Sequence, residues 1–230
     1  MAIKLYELAG ADPDMRYSPF CWRTRLALAH KGLDFEGIPW RLTDKQMIAF
    51  SGSTRVPVLV DGETVVNDSW RIAEYLDDAY PNRPSLLGPH EGRSHLRLLN
   101  FWLDNLTVTT ILPCVLNDIP KVLAPQDQSY FRASREQRFG KKLEEIGTDR
   151  DTAGVAAFRA AIAPVRSLLA EQPWLGGAQP SYADYILLGS LQWARCVSRF
   201  HFLLTDDPVH AWHVRGMALF GGLLATAKIG

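Results

Sequence analysis

The sequence predicts an α/β domain over residues 1–80, a linker over residues 81–92 and an all-helical domain over residues 93–230. Three observations carry this. Strand-like and helix-like patterns alternate through the first part. A stretch rich in proline and glycine, from Pro81 through Pro84 and Gly88 to Gly92, interrupts them. Beyond it no strand pattern is convincing, while apolar residues recur at helical spacing.

Ile3 to Leu8 alternates apolar and polar residues as a half-buried strand does, and a Gly/Ala/Asp/Pro loop follows from Ala9. Ser18-Pro19 is a helix start: a hydroxyl suited to capping, then proline at the first helical position, where its missing N–H costs nothing. Trp22, Leu26 and Ala29 continue that helix and Gly32 ends it. Phe35 to Pro39, Arg55 to Val60 and Thr64 to Asn67 read as further strands, the last two joined by the Asp61-Gly62 turn. After Asp68-Ser69, Ile72, Ala73, Leu76 and Tyr80 share one helical face, and Pro81 closes it. Helical periodicity then recurs at Leu96–Leu106, Tyr130–Ile146, Val155–Leu169, Tyr182–Val197 and Val209–Leu224.

Composition narrows the function. The 230 residues carry 25 Lys plus Arg against 25 Asp plus Glu, so there is no concentrated basic charge of the kind nucleic acid or an anionic membrane requires. Hydrophobic residues at 47% suit a packed core. Cys21, Cys114 and Cys196 are odd in number and far apart, which is neither a disulfide framework nor a zinc knuckle. The N-terminus turns polar within a few residues and no run of about 18 apolar residues occurs. A cytoplasmic protein without a membrane or nucleic-acid partner is therefore expected.

Ser18-Pro19-Phe20-Cys21 has redox-dithiol spacing with serine in place of the first cysteine. Serine cannot exchange disulfides, but at a helix start its hydroxyl can donate to a thiolate brought by a ligand. A plain cap, with Cys21 as a small buried hydrophobe, is the alternative. Pro57 at the mouth of an apolar strand implies an edge, a bulge or a cis bond, beside which a backbone edge could pair with a peptide ligand. Asp68-Ser69 opens another helix, where unpaired N–H groups and the dipole can hold a carboxylate, or where one of the two residues is simply the cap. Tyr6 and Tyr17 could each offer a phenol near the first helix. Ser181 to Asp184 has capping-box spacing. His210 and His213 lack the further ligands a metal site needs, so no metal is expected.

Together these motifs resemble the cytosolic glutathione S-transferase family. Tyr17-Ser18-Pro19-Phe20-Cys21-Trp22-Arg23-Thr24-Arg25-Leu26-Ala27-Leu28 is similar to the active-site helix of its serine-type members, and Val56-Pro57-Val58-Leu59 to its cis-proline strand. Asp68-Ser69-Trp70-Arg71-Ile72-Ala73-Glu74-Tyr75-Leu76 resembles the γ-glutamyl site, and Ser181 to Asp184 the capping box of the core helix. Within the family, Trp22-Arg23-Thr24, Asp68-Ser69-Trp70, Ser134-Arg135-Glu136-Gln137, Trp174-Leu175-Gly176-Gly177 and Ala183-Asp184-Tyr185 are similar to the bacterial lignin β-aryl-ether-cleaving branch and its fungal relatives.

The resemblance implies a thioredoxin-like domain followed by an all-α domain, with glutathione as co-substrate and a homodimer as the assembly. Ser18 would hold the cysteinyl sulfur as thiolate, and Val56, ahead of a cis Pro57, would pair its backbone with the cysteinyl residue. Ser69 would bind the γ-glutamyl carboxylate and Asp68 its ammonium, while Arg41 or Lys45 would take the glycine carboxylate. A small aromatic electrophile would lie against the loop ending at Tyr17 and near Phe101 and Trp102. The implied activity is attack of activated glutathione on that electrophile, with cleavage of an aryl ether as one form. A glutathione-dependent isomerase, a thiol-disulfide oxidoreductase working through Cys21, and a non-catalytic ligand-binding module on the same fold are the alternatives.

Overall fold

The computed structural model describes residues 2–147 and 153–230. Strand β1 (Ile3–Leu8) leads through helix α1 (Pro19–His30) to β2 (Phe35–Trp40), a short 3-10 segment (Lys45–Ser51), the hairpin β3 (Val58–Asp61) and β4 (Thr64–Asn67), and helix α2 (Ser69–Ala79). The sheet order is β2-β1-β3-β4. β1 and β2 are parallel, from Ile3↔Phe35 to Leu8↔Trp40, and α1 supplies the crossover such a pair requires. β3 runs antiparallel to both neighbours, with Leu5↔Leu59 and Val58↔Asn67 in register. This is a thioredoxin-like mixed sheet with helices packed on it.

The inward positions of β1 are Ile3, Leu5 and Glu7. Glu7 is fully buried because cations surround it: Arg25 approaches both carboxylate oxygens, at 2.5 and 2.8 Å, and Arg16 Nε lies 3.5 Å away. A buried carboxylate without such partners would not be tolerated. β3 begins at Val58, three residues after the expected Arg55, because Pro57 has no N–H for the ladder and its bond to Val56 is cis.

The remainder is helical: α3 (Arg93–Leu106), α4 (Leu112–Val115), α5 (Ile119–Val122), α6 (Pro125–Phe139), α7 (Leu143–Ile146), α8 (Val155–Ala161), α9 (Ala163–Glu171), α10 (Tyr182–Val197) and α11 (Pro208–Gly222). Two expected helices are each split. Gly140, at φ 66°, ends α6 in the left-handed region before α7, and Pro164, which cannot donate, separates α8 from α9 at Ile162. Non-helical backbone at Leu219 to Gly221 likewise kinks α11. A wider π-type turn over Thr107–Ile111 follows α3, a region where apolar spacing gave no helix. Three threonine hydroxyls there donate to carbonyls of the preceding turn, Thr107 to Leu103, Thr109 to Asn105 and Thr110 to Leu106. Pro113 then interrupts the ladder. The helical stretch His90–Val115 is long and apolar enough by composition to cross a bilayer, but here it is a packed helix that pairs Asp104 with Arg23 of α1.

α10 is buried along almost its whole length and lies against α1. The approach is close at Gly189, where an added Cβ would stand 2.6 Å from the carbonyl oxygen of Pro19. The start of α1 is thereby seated on the helical layer. Asp184 holds the other end of α10, accepting from the N–H groups of Leu175 (2.7 Å), Gly176 (3.1 Å) and Ser181 (2.9 Å) and from Trp212 Nε1 (2.8 Å).

The junction after α2 is tied by Asp77, which pairs with buried Lys31 at 2.6 Å and accepts from Leu86 N, Leu87 N and Ser85 Oγ. Burial alone would raise its pKa, but the N–H groups of Leu86 and Leu87 and the Lys31 ammonium outweigh it and hold the carboxyl below its ordinary value. A depressed folded pKa contributes stability above the unfolded value, near 4, that is lost as pH falls through the folded value. The urea midpoint should fall as pH drops from about 5 to about 3, and Asp77→Asn should flatten that slope. A variant with the wild-type slope would show that Asp77 contributes none of it.

Candidate active site

A cavity of about 540 Å³ opens between the sheet domain and the helices, walled by the end of β1, the start of α1, the turn after α3, and α6 and α10. Ser18 stands on this wall as the cap of α1. Its Oγ accepts from the Cys21 N–H at 3.3 Å, which uses a lone pair and leaves the hydroxyl proton to donate to another group. The N-terminal N–H groups of α1 add a positive potential at the same place.

Val56 lies on the cavity and Pro57 is buried beside it. The β1–β3 pairing begins at Tyr6↔Val58, so Val56 precedes the ladder. The β3–β4 ladder ends at Val58↔Asn67, and Val56 and Ser69 each lie two residues beyond that pair. Asp68 and Ser69 therefore stand at the same end of the hairpin, flanking the cavity and not lining it. Asp68 has φ 73° and caps α2, its Oδ1 accepting from Trp70 N (3.0 Å) and Arg71 N (3.2 Å). Ser69 is buried. Lys45 reaches the cavity across the Trp40 and Tyr130 rings, its ammonium donating to the Thr54 carbonyl at 3.0 Å.

Other expected residues lie elsewhere. Arg41 turns outward where Trp40 turns in, and donates to the Ala11 carbonyl at 3.2 Å, so it does not line the cavity. Phe101 is 57% exposed and Trp102 half-buried. Neither lines the cavity, since Asp104 and the turn after α3 present Thr107 and Val108 there instead. Phe101 stacks on the Arg97 guanidinium, 4.3 Å from the ring centre. Tyr6 packs against Phe50 and is not on the cavity wall.

Tyr17 does line the cavity. Its hydroxyl is buried and without a partner among the described residues, and burial raises its pKa, so it stays a neutral phenol. Cys21 is fully buried, and that burial pushes its thiol up to about 12. At pH 7 it is held as the neutral thiol. Native protein should therefore resist iodoacetamide at Cys21, and Cys21→Ser should leave any glutathione-dependent activity within about twofold. Rapid alkylation of Cys21 would reinstate it as a nucleophile.

Sequence reasoning missed the helical wall. Arg23 is buried against Asn100 (3.3 Å) and pairs with Asp104 at 2.7 Å, joining α1 to α3. Arg135 and Arg138 also line the cavity. They lie four and seven residues after buried Phe131, hence on its face of α6. Cations on the apolar stripe of a helix were the available signal. Among the described residues no group of three or more His, Cys, Asp and Glu side chains is placed to hold a metal.

Comparison with known proteins fixes the class. Residues 17–79 match the glutathione S-transferase N-terminal domain and residues 98–201 its C-terminal domain. Together they span more than half of the chain, which belongs to the glutathione S-transferase family. Among individual proteins, it is 38% identical over 96 residues to glutathione S-transferase Z2 of Arabidopsis thaliana, an alignment covering 40% of this chain and 41% of that one. The match thus spans less than half of that relative's length. The fold is similar to a Ceriporiopsis subvermispora glutathione S-transferase, CsGST63524, crystallised in complex with glutathione, with a TM-score of 0.81, 25% identity and 96% of each chain covered. It is also similar to glutathione transferase GSTFuA3 of Phanerochaete chrysosporium, with a TM-score of 0.77, 28% identity, and 96% and 92% covered.

Proposed function

We propose that this protein is a glutathione transferase that holds glutathione as a thiolate for attack on a hydrophobic, aromatic electrophile. The observation that carries this is the Ser18 hydroxyl: at the helix start, on the cavity wall, with its lone pair engaged by Cys21 N–H and its proton free to donate. A glutathione lying across the hairpin end would set its γ-glutamyl group at Asp68 and Ser69 and its cysteinyl backbone against Val56. Its sulfur would then face Ser18 and its glycine carboxylate Lys45.

Binding as thiolate releases the thiol proton to solvent. The sulfur then forms a bond to the electrophilic carbon as the bond to the leaving group breaks, and that group departs with the electron pair. An aryl ether, whose leaving group is an aryloxide, is one such substrate. Catalysis here is positioning and electrostatic stabilisation. The buried Cys21 speaks against an oxidoreductase working through that thiol. A homodimer belongs to the same reading, as does a reducing, cytoplasmic setting that keeps the three buried cysteines as thiols.

Calorimetric titration with reduced glutathione tests the reading. Saturable 1:1 binding, weakened about 10-fold by Ser69→Ala, is expected. No binding at millimolar glutathione would move the weight to a ligand-binding module without glutathione chemistry.

A further inference from the structure

The cavity is not electrically neutral. Its charged lining consists of Arg23, Lys45, Arg55, Arg135, Arg138 and Asp104. Arg23 and Asp104 neutralise one another. The other cations form no ion pair among the described residues. Lys45 donates to a carbonyl, and among the described residues Arg135 donates only to Ser134 Oγ, at 3.0 Å. The half-buried Arg135 guanidinium has its pKa lowered by desolvation and by the neighbouring Arg138 and Arg55 charges, a cost that a bound anion would relieve. Tyr17 adds an independent sign of a missing partner, because it lines this cavity and its buried hydroxyl has no partner among the described residues.

Glutathione, placed as above, accounts for one carboxylate at Lys45 on the sheet-domain side, where Arg55 also lies. It leaves Arg135 and Arg138 on α6, and Tyr17, unused. Beside them Leu112, Phe131 and Trp193 offer an apolar surface. Resting on the reading of the preceding subsection, we propose that the electrophile itself carries a carboxylate. Arg135 and Arg138 seat that group with a hydrogen bond from the Tyr17 hydroxyl, and its aromatic body lies on the apolar wall. A guanidinium is suited to this because its planar donors match a carboxylate. The site would thus select anionic aromatic substrates over neutral ones of the same shape.

The test is calorimetric titration with 4-methylbenzoate and with its methyl ester, unreactive compounds that need no glutathione to bind. Wild-type protein should bind the acid at least about 10-fold more tightly than the ester. Arg135→Gln should weaken the acid about 10- to 100-fold while leaving the ester and glutathione within about twofold. Tyr17→Phe, which keeps the ring in the core, should weaken the acid about 3- to 10-fold. Equal binding of acid and ester by the wild type would overturn the proposal. So would an Arg135→Gln variant that loses glutathione affinity as much as acid affinity, because the cation would then serve the glycine carboxylate. Discrimination of acid from ester in a protein that binds no glutathione would uphold the anion site and remove the transferase reading instead.

Discussion

Replacing Ser18 by alanine is expected to shift the pH dependence of glutathione-dependent turnover to higher pH by about one to two units. A hydrogen bond to a charged acceptor is worth about 1.5–3 kcal/mol, and each pKa unit corresponds to about 1.36 kcal/mol. A thiol of pKa near 8.5 is about 3% ionised at pH 7, and a two-unit drop makes it about 75% ionised. Loss of the Ser18 donor should therefore lower kcat/KM at pH 7 about 8- to 25-fold, with most of the rate regained above pH 9. The ultraviolet absorbance of bound thiolate, followed across pH, reads the same quantity without turnover. Because Oγ also caps α1 by accepting from Cys21 N–H, the substitution should cost about 1 kcal/mol of stability as well. A Ser18→Ala protein with the wild-type pH profile would leave Ser18 as a cap and nothing more.

Asp184→Asn is expected to destabilise the protein more than any change at the cavity. The carboxylate is fully buried and its two oxygens accept from Leu175, Gly176 and Ser181 N–H groups and the Trp212 indole. Asparagine keeps the shape but turns one acceptor into an NH₂ donor, which must face N–H groups that already donate. Leaving such groups unpaired costs about 1–3 kcal/mol each, so a loss of about 3 kcal/mol is expected. For a chain of this size that lowers Tm by roughly 6–12 °C in thermal unfolding. A loss below about 1 kcal/mol would mean that the loop before α10 repacks and the network is not holding it.

The order of elements was open to inspection because local chemistry encodes it. Ser18-Pro19 and Asp68-Ser69 start helices wherever they stand, since a capping side chain needs only the next turn of backbone. Glycine at φ above zero ended α6 for an equally local reason, although the periodicity on either side of Gly140 concealed the break. The sheet-domain side of the cavity belongs to this local class, because Ser18 and Val56 lie beside such signals.

The facing wall does not. Arg135 and Arg138 stand on a helix of polar composition and were not singled out as lining, while the resemblance placed Phe101 and Trp102 beside the electrophile. Which of them meets the cavity depends on the rotation of α3 and α6 about their axes. That rotation is fixed by contacts between residues far apart in the chain: Arg23 on Asp104 and Asn100 for α3, and Thr43 on Asp127 for α6. The sequence by itself determined where β1, α1, β2, β4 and α2 begin, and therefore the cap and the hairpin end. Only the tertiary structure decided the charge of the cavity, because helix rotation is set by non-local packing that no local pattern records.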